Sequence, residues 1–211
     1  MKMHLMVAAA FFAGLMAVLI QGIPTTGDAS AKVSPARYNL AAMQALGSGQ
    51  CASSPTPSCS VYETCFMKYC QCKGDPDEYF ETYGLKYCRA FLANANFSEQ
   101  GRKWRDSTLI CLQESIVPKL DISATPKCDC SAMRAFAFAS HVACYTQPGK
   151  SICDLPADDI SEIRKTISLP DMLSGDGRKQ MAQVVSICTK TATDDGRRSA
   201  WKALAILIGG G

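Results

Sequence analysis

The side chains best equipped for chemistry in this 211-residue chain are twelve cysteines and one histidine. Three of the cysteines share the stretch CDCSAMRAFAFASHVACY, residues 128–145, with His141, and the only other histidine is His4. A histidine at that place could act as a general base on water, or could activate a serine or cysteine nucleophile. No Gly-x-Ser-x-Gly elbow accompanies it, and a cysteine nucleophile needs a free thiol, which an even, bridged set does not leave. The carboxylate pairs Asp158-Asp159 and Asp194-Asp195 fall where helix N-termini are expected, so capping and dipole compensation explain them. Phosphate-cradling and EF-hand loops are missing as well. The expectation is a protein that is not an enzyme and needs no cofactor and no metal.

All twelve cysteines lie at or beyond Cys51. Upstream, Lys2 precedes an apolar run from Leu5 to Ile20, and Ala29-Ser30-Ala31 supplies small residues of the kind a signal peptidase reads. Residues 1–31 are therefore expected to be a signal peptide and residues 32–211 the secreted, extracellular protein. In that compartment twelve cysteines read as up to six disulfides. Structural zinc sites favour two to four residues between paired cysteines, whereas Cys70-Gln71-Cys72 and Cys128-Asp129-Cys130 have one. The net charge of +3 is too mild to argue for a nucleic-acid or phospholipid partner.

The elements that must position these residues read as helices, because apolar residues recur at three- and four-residue intervals and alternation is scarce. Asp75-Pro76-Asp77-Glu78 has the form of a helix start, followed by a stripe through Phe80, Tyr83, Tyr87 and Phe91. Ser98 is placed to cap a second helix carrying Trp104, Leu109, Leu112, Ile116 and Leu120. A third presents Met133, Ala137, His141 and Cys144 on one side. Ile160, Ile163 and Ile167 mark a shorter helix ending before Pro170. Asp176 opens a segment with Met181, Val184, Val185 and Cys188, and Asp194 or Asp195 caps a last helix through Trp201, Leu204 and Ile208. Ser34-Pro35 could begin one more, carrying Tyr38, Ala42 and Leu46. With no internal repeat and no dividing linker, the expected architecture is all-α, a disulfide-bridged helical bundle in a single domain. Between two of these helices, Asn96-Phe97-Ser98 is a glycosylation sequon in a chain expected to be secreted.

Two resemblances bear on function. His141-Val142-Ala143-Cys144-Tyr145 resembles the helix on which secreted phospholipases A2 carry a catalytic histidine. That family has a calcium-binding aspartate directly after the histidine and a Tyr-Gly-Cys-x-Cys-Gly loop; this chain has Val142 and no such loop. The second resemblance covers residues 51–188. Cys88-Arg89-Ala90-Phe91-Leu92, Gln100-Gly101-Arg102, the 23-residue step from Cys88 to Cys111, the 14-residue step from Cys130 to Cys144-Tyr145 and the 35-residue step from Cys153 to Cys188 are similar to the stanniocalcins.

The stanniocalcin resemblance implies the pairs Cys51–Cys65, Cys59–Cys88, Cys111–Cys144 and Cys153–Cys188, with a fifth bridge from Cys70 or Cys72 to Cys128 or Cys130. The two additional cysteines suggest that this bridge is doubled, as Cys70–Cys130 and Cys72–Cys128. It implies a secreted glycoprotein hormone concerned with calcium and phosphate balance, acting on a protein receptor or an extracellular protease, since some members inhibit pappalysin metalloproteases. The inter-chain cysteine that stanniocalcins carry near the C-terminus has no counterpart beyond Cys188, so a covalent dimer is not expected. Trp201, Leu204, Leu207 and Ile208 could instead form a non-covalent homodimer surface or pack on their own domain; the tail is too short to span a membrane. A phospholipase A2-like lipid-processing protein and a non-signalling cysteine-rich structural or defence protein are the rival readings.

Overall fold

The computed structural model describes Cys51 and residues 54–207. The expected signal peptide, its cleavage near Ala31 and the helix from Ser34 lie outside those residues. The fold is all-α: among the described residues, eight α-helices and a two-strand ribbon form one disulfide-rich domain. In chain order these are α1 (Met67–Tyr69), α2 (Lys86–Ala93), α3 (Glu99–Ile116), α4 (Cys130–Tyr145), α5 (Ala157–Thr166), α6 (Leu169–Leu173), α7 (Gly175–Thr191) and α8 (Asp195–Leu207). The ribbon joins β1 (Thr146–Gln147) to β2 (Lys150–Ser151) in antiparallel register. α3 packs along α4, α4 against α7, and α7 against α8.

The first two α-helices each follow a π-helical turn, Tyr62–Phe66 before α1 and Phe80–Leu85 before α2. In the second, the Gly84 N–H donates to Tyr79 O, five residues back, at 2.9 Å. The two turns meet through Tyr62, Phe66 and Phe80, whose ring centroids lie 5.0–6.4 Å apart, a spacing at which aromatic pairs attract beyond their buried area. The helix expected to start at Asp75 starts later. Asp75 Oδ1 accepts from the Asp77 N–H at 2.8 Å in a local turn. The buried Glu78 is the residue whose carboxylate takes the Glu81 and Thr82 N–H groups, at 2.8 and 2.9 Å. An Asp-Pro-Asp-Glu run supports either arrangement, and here the turn takes precedence.

Ser98 caps α3, accepting from the Gly101 N–H at 3.1 Å. The cap is itself held from another helix. Asp159 of α5, 1% exposed, accepts the Ser98 N–H at 2.8 Å and the Ser98 Oγ–H at 2.5 Å. Gly101 is required by this arrangement, because a Cβ there would sit 2.5 Å from the Asp159 carboxylate. Replacing Asp159 by alanine removes the acceptor of the Ser98 N–H and Oγ–H and is expected to cost about 2 kcal/mol, roughly 1 for each hydrogen bond. Gly101→Ala alone should be similarly harmful despite alanine's better helix propensity. In the Asp159→Ala background the same change should be neutral or stabilising, because the carboxylate it would strike is gone. Urea unfolding of the four proteins in this cycle checks it, and strictly additive costs would contradict the contact.

α4 buries the stripe Met133, Ala137, His141 and Cys144. Its N-cap, Asp129, accepts from the Ala132 N–H at 2.9 Å. At its other end Trp104 of α3 donates its indole N–H to Tyr145 O at 3.2 Å. α7 starts at a Ser174 cap, two residues before the expected Asp176, with the Gly177 N–H donating to Ser174 Oγ at 3.0 Å. Pro170, beyond the end of α5, lies in the first turn of the short α6, whose cap is Ser168. Asp194 is the acceptor before α8, taking the Arg197 N–H at 2.9 Å.

Candidate functional site

His141 is 3% exposed and sits among the rings of Tyr79, Tyr83, Phe138 and Tyr145, at centroid distances of 5.4–6.2 Å. Its Nδ1 lies 2.6 Å from Ala137 O one turn back, and its Nε2 lies 3.3 Å from the Tyr79 hydroxyl. A carbonyl only accepts, so Nδ1 carries the proton and Nε2 accepts from Tyr79. Burial lowers the imidazole pKa to about 4, outweighing the Ala137 hydrogen bond, which acts to raise it. The cavity beside it is about 30 Å³, room for about two or three waters and no substrate. A general base requires a free nitrogen within reach of a substrate. His141 offers neither the free nitrogen nor the room, so its place in this structure is that of a neutral core residue that pins α4 to the turn before α2.

The sulfurs form six bridges, and no described cysteine is free. Cys51–Cys65 and Cys59–Cys88 tie the N-terminal loop to the first π turn and to α2, Cys111–Cys144 joins α3 to α4, and Cys153–Cys188 joins the turn after β2 to α7. The doubled bridge differs from the expected crossing. Cys70 pairs with Cys128 and Cys72 with Cys130, in place of Cys70–Cys130 and Cys72–Cys128. The two segments run side by side in the same direction, with Cα separations of 4.9 and 5.8 Å across the two bridges. Backbone at Asp129 is extended, and in extended chain residues i and i+2 face the same side, so Cys128 and Cys130 meet Cys70 and Cys72 in register. The Cys70, Cys72 and Cys128 sulfurs lie within 4.8 Å of one another, but each is already in a disulfide and none is the thiolate that a metal needs as ligand.

Asn96 is exposed in the turn between α2 and α3, its Nδ2 3.4 Å from Glu162 Oε2. Of the four residues that could form a homodimer surface or pack on their own domain, the structure describes the side chains of two, and both pack on their own domain. Trp201 and Leu204 turn into their own domain, Leu204 buried and Trp201 partly so, with the Trp201 indole N–H donating to Cys153 O at 3.0 Å. The Leu207 side chain and Ile208 lie outside the described residues, and Ile206 is a large apolar residue of α8 left exposed. The physical reason is local: α8 lies on α7, and Trp201 finds its one polar partner in the backbone beside the Cys153–Cys188 bridge. Among the described residues no helix is long and apolar enough to cross a membrane.

Under α8 lies a feature that the periodicity did not reveal. A cavity of about 180 Å³ opens between α5, α7 and α8, walled by Ile160, Ile163, Met181, Val184, Trp201 and Leu204. Gln180 of α7 also lines it, 8% exposed. Its Nε2 is the sole buried side-chain polar atom without a hydrogen-bond partner among the described residues. The available signal was positional: Gln180 precedes Val184 by four residues and Cys188 by eight, on the buried stripe of α7. Asp171, also in the lining, accepts from Lys86 Nζ and Ser168 Oγ at 2.7 Å each, and from the Tyr87 hydroxyl. Burial pushes the Asp171 carboxyl up, but those three donors outweigh it and its pKa falls to about 2.

Compared with known proteins, the chain matches no family model, no curated protein and no solved structure.

Proposed function

We propose that this chain is a secreted, stanniocalcin-like signalling glycoprotein, glycosylated at Asn96 and concerned with calcium and phosphate balance, that acts by binding a protein receptor or an extracellular protease. The observation that carries this reading is the framework of Cys51–Cys65, Cys59–Cys88, Cys111–Cys144 and Cys153–Cys188, bonded together in one helical domain. These are the four pairs that the resemblance implies. Twelve bonded cysteines also fit an oxidising compartment. The placement of His141 supports action by binding in preference to hydrolysis, because the residue best suited to activate water is enclosed by aromatic rings. A frame stapled six times has few side-chain and loop motions left to freeze on docking, so more of its contact energy appears as affinity.

The test uses the purified, unreduced protein in two assays: binding of labelled protein to intact cells, and cleavage of a protein substrate by a pappalysin metalloprotease. Saturable binding or inhibition is expected, weakened at least tenfold when the bridges are reduced and the thiols alkylated. Failure of the intact protein in both assays would overturn the proposal, and so would retention inside expressing cells.

A further inference from the structure

The two bridges of the doubled staple touch each other. Cys70 Sγ lies 3.5 Å from Cys72 Sγ, and Cys72 Sγ lies 4.0 Å from Cys128 Sγ, although neither pair is bonded. Disulfides exchange by attack of a thiolate on a bonded sulfur, so a thiolate released at one bridge already has the other within reach. Among the described residues, Cys70, Cys72 and Cys128 are the one set of three sulfurs lying within 4.8 Å of one another. A thiolate released at any other bridge has only its old partner to return to.

Entry is open at Cys128. Cys128 is half-buried while Cys70 is 1% exposed, and both line a cleft of about 300 Å³ with Lys119, Asp121, Lys127 and Asp129. Two lysines offset two aspartates, so the lining selects neither sign of charge. The volume is about twice that of the roughly 150 Å³ hole that admits benzene. Exit is open at Cys130. A thiolate left on the buried Cys70 is disfavoured, because enclosure raises a thiol's pKa. Cys130 is half-buried and is the first residue of α4, where the helix N-terminus favours a thiolate. The neighbouring Asp129 carboxylate opposes this, but it is engaged with the Ala132 N–H.

We propose that the doubled staple is a thiol-exchange site that takes a small thiol at Cys128 and releases a thiol at Cys130. The entering thiolate bonds to Cys128 Sγ and breaks the Cys70–Cys128 bond, leaving Cys70 as the thiolate. Cys70 then bonds to Cys72 Sγ and breaks the Cys72–Cys130 bond. Cys130 leaves as a thiolate and takes the proton that the incoming thiol gave up. The product holds a mixed disulfide at Cys128, a Cys70–Cys72 bridge and a free Cys130 thiol, with no net oxidation. One thiol molecule thus opens both links between the two segments. This site is separate from the protein-binding surface proposed above, and either can fail without the other.

Glutathione serves as the probe on the unreduced protein. The reaction is quenched with acid, free thiols are blocked with a maleimide at low pH, and the cysteines are mapped by mass spectrometry without reduction. The expected first product carries glutathione on Cys128, maleimide on Cys130 and a Cys70–Cys72 bridge, with the other eight cysteines still in their original pairs. In the double variant Cys72→Ala, Cys130→Ala the freed Cys70 can only return to Cys128, so about tenfold less adduct should accumulate, with maleimide on Cys70. The map of the unmodified protein decides the matter even if that variant folds poorly. The proposal is overturned if no adduct forms, if glutathione enters first at another bridge, if Cys70 is the trapped thiol of the unmodified protein, or if the variant accumulates as much adduct.

Discussion

Replacing all four of Cys70, Cys72, Cys128 and Cys130 by alanine is expected to lower the unfolding free energy by about 4 kcal/mol, whereas removing either pair alone should cost about 1 kcal/mol or less. Each bridge closes a separation of 58 residues. In the chain-entropy account a loop of that size restricts the unfolded chain by about 4 kcal/mol. The two bridges close nearly the same loop, since their ends are two residues apart on both sides. Once one is formed, the second adds only the closure of a short ring and removes little further freedom. The costs are therefore strongly non-additive, small for each pair and large for both. Urea unfolding of the intact protein, the two double variants and the quadruple variant measures this directly. Additive losses would show that the bridges act through packing around the sulfurs and not through the shared loop.

The same staple shows where sequence reading stops. A Cys-x-Cys segment places two sulfurs on one side of an extended chain, which signals a doubled bridge, yet it carries no polarity. The crossing and in-register pairings differ only in the relative direction of two segments 58 residues apart, and tertiary structure sets that direction. Helices were legible wherever one face is buried throughout, as with Met133, Ala137, His141 and Cys144 on α4. The Ser98 cap was legible because the hydroxyl, the turn and the helix are adjacent in the chain. Its clamp by Asp159 was not, because the carboxylate arrives from a different helix 61 residues on. Gln180 was passed over for a related reason. On the inward stripe of α7 a polar side chain reads as a gap in the periodicity, and only the surrounding walls show that the gap is a lined cavity.

Stability should also fall by about 3 kcal/mol as the pH drops from above 6.5 to about 4, and His141 is the expected source. Its folded-state pKa is lowered to about 4, first by burial, while in the unfolded chain it returns to about 6.5. Between those values the unfolded state binds a proton that the folded state refuses, so acidification favours unfolding throughout that window and not above it. A tenfold difference in proton affinity between the two states is worth about 1.4 kcal/mol, and across this window that gives the total. The groups around the ring reinforce this direction. Tyr79, Tyr83 and Tyr145 are held neutral by burial, and none offers the anion that would stabilise an imidazolium. The contribution of Asp171 falls in a different window. Its carboxyl is held at about 2, so its stabilisation is complete above about 4 and is lost only below that. The measurement is urea unfolding at pH 7, 5.5 and 4.5 for the unmodified protein and for His141→Gln. The variant should be less stable at pH 7, where it lacks the packed ring, yet should show a much flatter dependence down to pH 4.5. An equal slope in both proteins would place the acid sensitivity elsewhere and would mean that the ring of Tyr79, Tyr83, Phe138 and Tyr145 does not keep His141 unprotonated.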